Sequence, residues 1–219
     1  KTFLIFVCIK IKFIIIMRFF LYIFFLLLTP SIVFLQKKKY FFDINGNIIT
    51  EKEYKKIKDN PLEYFKIKAV SDTAKIFTVE KRELKGRLSN DSLNRLVLYL
   101  NTISESNVDS SKTIIINYYP GFDKCIATSG RDYVNSLYEI FLKEINSIEK
   151  VENYFICKSF DGIEFYDKSI KWKIDKDRFI ESNFFPNHYP CGSYLILYPD
   201  KNYYIYKGEY YILEILNKI

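Results

Sequence analysis

The run IIINYYPGFDKC, residues 114–125, carries β-branched residues into two tyrosines, a Pro-Gly pair and a cysteine. A buried strand delivers a thiol to the end of a sheet in this way, and such a thiol becomes a nucleophile or redox group once its pKa is lowered. Beyond residue 36 the cysteines are Cys125, Cys157 and Cys191. An odd number leaves at least one thiol unpaired within a monomer. Cys157, inside the apolar run YFICKSF, reads as a small core residue. His188, the one histidine, lies two residues before Pro190. It would make a general base beside Cys125, or a loop histidine bonded to backbone. One histidine and no cluster of cysteines at ligand spacing exclude a structural zinc site. The stretch DKDR at 175–178 lacks the glycine and terminal glutamate of a calcium loop and reads as a solvated helix start. Glycine-rich phosphate loops and the G-x-S-x-G elbow do not occur, so nucleotide binding and serine hydrolysis find no support. No cofactor and no metal are expected.

The elements that must position these residues follow from periodicity and turn chemistry. YFFDINGNII (40–49) places two short apolar runs around Asn45-Gly46, a hairpin signal. Thr50 and Glu53 form a capping box opening a short helix, which Asn60-Pro61 ends. EYFKIKAV and AKIFTVEK alternate as strands do. Ser89 or Asn90 caps a helix with Leu93, Leu96, Val97, Leu100 and Ile103 on one face. The unbroken apolar run TIIINYY suits a strand buried on both sides. A second helix carries Tyr133, Val134, Leu137, Tyr138, Phe141 and Ile145 on one side. VENYFICKSF follows as a strand, Asp161-Gly162 turns into IEFYD, and a short helix spans Lys176 to Asn183. SYLILY and NYYIYKG flank Pro199-Asp200 as a hairpin whose tyrosines pair across strands. Ile212, Ile215, Leu216 and Ile219 mark a terminal helix. After the lead-in the order is β-α-β-α-β-(α)-β-β-α, which implies an α/β domain with a parallel sheet extended by antiparallel strands.

The formal charge of +7 suggests an anionic partner until its distribution is considered. Lys1, Lys10, Lys12 and Arg18 precede residue 36, where there is no acid; the rest of the chain is close to neutral. No basic stripe interleaved with aromatics enters the domain, so nucleic-acid binding is not expected. Arg18 followed by the apolar run of residues 19–35 reads as an export signal, or as an N-terminal anchor if it is retained. Met17 is the expected true start. Residues 1–35 are thus the export segment, 36–61 a hairpin-helix lead-in and 62–219 the main domain. An exported, periplasmic or cell-envelope location follows, with membrane contact only through residues 19–35.

The element order resembles that of thioredoxin-like proteins, their secreted reductase-like branch in particular. Two stretches carry the resemblance: Asn117-Tyr118-Tyr119 with the loop to Cys125, and HYPCGSYLILYPDKNYYIYKGEY from His188 onward. The resemblance implies a thioredoxin-like sandwich around a central mixed sheet, a reactive loop after TIIINYY, and a cis-proline at Pro190. The branch's C-x-x-C pair is missing. Asp123 stands where its first cysteine belongs, and Cys125 falls one residue short of the second. A thiolate at a helix N-terminus with a resolving thiol beside it is what drives dithiol exchange. The resemblance therefore implies a scaffold that has lost its redox pair. It also implies that the Cys125 and Cys191 loops face each other. A bridge between them would close about 66 residues, worth on the order of 4 kcal/mol in the chain-entropy model. The expected function is a non-catalytic binding or structural module for an unknown protein or peptide partner. Tyr118, Tyr119, Asp123, His188 and Pro190 would line its binding loops. The alternative is an atypical thiol oxidoreductase using Cys125, with or without Cys191.

Overall fold

Thr50 sets the first boundary: its hydroxyl accepts the N–H of Glu53 at 3.2 Å, and the Glu53 carboxylate accepts the N–H of Thr50 at 2.8 Å. This reciprocal pair opens α1 (Glu51–Lys56). The hairpin before it consists of β1 (Lys38–Phe42) and β2 (Ile48–Ile49), paired Phe41 to Ile49. β3 (Tyr64–Val70) and β4 (Ala74–Lys81) form a second antiparallel hairpin. All four strands share one sheet in the order β2-β1-β4-β3, over a small core of Phe41, Tyr54 and Val79. The computed structural model describes residues 37–58, 60–122 and 131–219. The export segment expected at 1–35, together with Asp123 and Cys125, lies outside them. Among the described residues no helix is long and apolar enough to cross a membrane.

The second sheet holds β5 (Glu83–Arg87), β6 (Thr113–Tyr119), β7 (Val151–Cys157), β8 (Trp172–Ile174), β9 (Ser193–Leu197) and β10 (Asn202–Tyr206), in the order β5-β10-β9-β6-β7-β8. β6, β7 and β8 run parallel; β9 is antiparallel to β6, β10 to β9 and β5 to β10. α2 (Asn90–Ser104) precedes β6, and α3 (Arg131–Asn146) joins β6 to β7. The β6–α3–β7 unit thus carries an antiparallel hairpin on the other flank of its first strand. The chain is accordingly an α/β sandwich around a mixed sheet.

β6 shows why this arrangement is stable, because successive side chains feed opposite layers. Ile114, Ile116 and Tyr118 join Leu96 and Leu100 of α2, with Leu195, Leu197 and Ile205 of the hairpin strands. Ile115 joins Phe141 and Ile145 of α3, with Phe155, Ile196, Tyr204, Ile212 and Ile215. Full burial of such a side chain is worth about 1.5–3 kcal/mol over exposure. The N-cap of α2 is Ser89, whose hydroxyl accepts the Ser92 N–H.

The sequence expectations need correcting in three places. The terminal segment is a 3-10 helix, Ile212–Asn217, that buries Ile212 and Ile215 at the i, i+3 spacing of that geometry. β5 and β8 are additional strands at the two edges of the sheet. The Tyr189–Pro190 bond is trans, since no described peptide bond is cis. Reversal is achieved there by the residue after the proline: Cys191 has φ 67°, left-handed, and Gly192 has φ 114°.

Candidate functional site

In an open α/β sheet, ligands approach the carboxyl ends of the parallel strands where the strand order reverses. Here that place is the end of β6, flanked by β7 on one side and the antiparallel β9 on the other. Tyr118 pairs with Ser193 across the sheet. A Cβ placed on Gly192 would lie 3.2 Å from the Tyr118 carbonyl oxygen. Gly192 therefore closely approaches the end of β6, and only glycine fits that approach at such a φ; the loop that carries Cys125 lies outside the described residues. His188 and Pro190 are exposed on this rim, and Cys191 beside them is half-buried and disulfide-bonded.

Tyr118 and Tyr119 do not reach the surface; they are 3% and 1% exposed. Tyr118 stacks on Phe185 with ring centroids 5.1 Å apart. Tyr119 meets Tyr166 edge-on at 5.5 Å and Trp172 at 5.7 Å. Before them, Asn117 is spent on the fold: its amide donates to Asn153 Oδ1 at 2.7 Å, and its oxygen accepts the Tyr210 hydroxyl at 3.0 Å. The rings thus form a floor, and the rim above is made by other side chains. Phe122 and Phe160, following β6 and β7, are 56% and 53% exposed.

Beside the floor lies a buried polar cluster that the sequence did not reveal. Asp175, expected in a solvated helix start, is only 4% exposed. Its Oδ1 accepts the Tyr99 hydroxyl at 2.6 Å and the Ile180 N–H at 3.0 Å, and its Oδ2 accepts the Glu181 N–H at 2.9 Å. It thereby satisfies the first free donors of α4 (Phe179–Phe184). Lys176, Asp177 and Arg178 remain exposed. Glu181, buried in α4, takes a bidentate pair from Arg178, Nε at 2.8 Å and a terminal nitrogen at 2.8 Å, and Lys158 Nζ at 2.9 Å. The Arg178 bonds, then Lys158, hold its carboxyl down at about 2. The Tyr118 hydroxyl finds no hydrogen-bond partner among the described residues. Burial, then the charges of Glu181 and Asp175, push it well above the usual phenol range, so it stays a neutral donor.

Cys157 ends β7 in the same neighbourhood. It is fully buried and free, with its Sγ 3.5 Å from the Lys173 carbonyl oxygen. Burial and the Asp175 charge raise its thiol to about 12, the opposite of what a nucleophile needs. Among the described residues no group of three or more His, Cys, Asp and Glu could hold a metal ion. The cluster can bind, rigidify and present an unpaired donor; its described groups are not tuned for acid–base or thiol chemistry.

A second polar tie fixes the rim loop. Glu80 of β4 accepts Asn187 Nδ2 at 2.5 Å, the Tyr189 hydroxyl at 2.5 Å and Lys207 Nζ at 3.0 Å. The four-stranded sheet is in this way bonded to both ends of the β9–β10 hairpin.

No protein-family model matches the chain, and no curated protein matches it. Among solved structures, that of MTB DsbF in its mixed oxidized and reduced forms is similar, with a TM-score of 0.36 and 12% identity, covering 49% of this chain and 78% of that chain.

Proposed function

We propose that this chain is an exported cell-envelope protein that keeps a thioredoxin-like scaffold without the redox dithiol. It acts as a binding or structural module for a protein or peptide partner. The observation that carries this reading is the state of the thiols at the carboxyl end of the sheet. Cys191, on the rim, is already engaged in a disulfide, and Cys157, below it, is buried and held protonated. Cys125 is the partner we assign to Cys191, because in sequence it follows β6, whose end at Tyr118 is approached by Gly192, the residue after Cys191. A bridge there would close the rim and remove the residual thiol chemistry. Phe122, Phe160 and Pro190 would then supply apolar contacts for an extended peptide over the aromatic floor.

The test is alkylation of the exported protein under non-reducing conditions, followed by peptide mass mapping. A Cys125–Cys191 peptide that survives a glutathione buffer is expected, with Cys157 alkylated at pH 8 only after unfolding. A free Cys125 that alkylates rapidly below pH 7 would overturn the module in favour of a thiol oxidoreductase. N-terminal sequencing of the same sample reads whether residues 19–35 are removed.

A further inference from the structure

Far from this rim, the other side of the hairpin carries a groove that the proposed module does not use. Partners across antiparallel strands share a face. Asn202 pairs with Arg87 and Tyr204 with Lys85, while Tyr204 also pairs with Ile196 of β9. Lys85 and Arg87 of the edge strand therefore stand on the same face as Asn202 and Tyr204. The segment after the terminal 3-10 helix adds Lys218, held in place because its carbonyl accepts the Tyr198 hydroxyl at 2.8 Å. These residues line a groove of 640 Å³, within the range of small-molecule sites.

The charge in the groove is one-sided. Among the described residues no carboxylate lines it, and neither Lys85, Arg87 nor Lys218 makes an ion pair with one. The nearby acids are otherwise occupied. Asp200 accepts the backbone and side-chain N–H groups of Asn202, and the Glu83 carboxylate acts on the Tyr204 hydroxyl, helping to raise its pKa. Two of the cations converge on one ring, Lys218 Nζ at 4.7 Å and Lys85 Nζ at 5.7 Å from the Tyr204 centroid. They are thus no more than roughly 10 Å apart, about one Debye length at 0.1 M salt. The Tyr204 face relieves part of their repulsion, and an anion between them and Arg87 would relieve the rest.

We propose that this groove binds a small polyanion bearing phosphate or carboxylate groups. Arg87 clamps one anionic group through its planar fork, and the two ammonium groups hold a second as point charges. Tyr198 and Tyr204 supply walls for a compact body between them. The proposal stands apart from the module reading, since none of its residues belongs to the rim.

Calorimetric titration of the full chain with inorganic pyrophosphate, and separately with citrate, at low ionic strength tests it. Saturable binding of at least one probe is expected, weakened tenfold or more in Arg87→Gln/Lys218→Gln. It should be unchanged in Lys52→Gln/Lys56→Gln, which removes the same charge from exposed positions on α1. Preference for pyrophosphate assigns the site to phosphates, and preference for citrate assigns it to carboxylates. No saturation by either probe at millimolar concentration overturns the proposal. So does an equal loss in the α1 variant, which would mean diffuse charge rather than a groove.

Discussion

Glu181 is the residue on which the polar cluster turns. Its carboxyl is held at about 2 in the folded protein, below the ordinary value of 4.5. A depressed folded-state pKa stabilises the fold above the unfolded value, and that contribution disappears as pH falls through the folded one. The protein is therefore expected to lose stability between pH 4.5 and 2, with a measurable fall in the urea midpoint. Glu181→Gln removes the titrating group while keeping its shape. The variant should start less stable at pH 7 and show a flatter profile across this window. A profile as steep as that of the parent would show that other carboxylates govern acid unfolding. The cluster was illegible because burial of Asp175 depends on where α4 packs, and a fully charged tetrapeptide such as DKDR is solvated in most contexts.

At the scale of elements, the approach of the rim loop to β6 rests on Gly192. Its φ of 114° disfavours a side chain, and an added Cβ would crowd the Tyr118 carbonyl oxygen. Gly192→Ala should cost about 1–3 kcal/mol, the usual range for one residue in a sparsely populated conformation, read from chemical denaturation. An unchanged midpoint would mean the loop can retreat from the strand. The strands that carry this contact were legible, because TIIINYY has the unbroken apolar run of a strand buried on both faces. The Pro199-Asp200 hairpin announced itself by its turn. β5 and β8 did not. ELKGR carries a glycine and alternating charge, and becomes a strand only because β10 offers it a ladder. WKI is three residues long and borrows its geometry from β7. The terminal segment showed helical spacing, yet i, i+3 burial also fits the tighter 3-10 geometry, and packing on the sheet chose that one. The trans bond before Pro190 was hidden for a similar reason: the left-handed residue that makes the turn, Cys191, carries no glycine-like signal.

At the scale of the molecule, Glu80 is the joint between the four-stranded sheet and the rim. Replacing it by alanine leaves the Tyr189 hydroxyl and the Lys207 ammonium without their acceptor. Local opening should become easier. Amide hydrogen exchange over residues 187–193 is expected to quicken about tenfold, with smaller change in α2. Equal quickening everywhere would mean that Glu80 supports the whole fold rather than the loop.

The place of β5 in the sheet has a consequence in time. Among the described residues its one neighbour is β10, at the opposite end of the main domain. As the chain is made, β5 emerges about 115 residues ahead of the strand that completes it, and at roughly 5–20 residues per second it waits about 6–23 s with its ladder unfilled. A hydrophobic edge would be exposed to wrong pairing throughout that delay. The sequence ELKGR, with a charge on every second residue and a glycine between, keeps that edge hydrated until synthesis catches up.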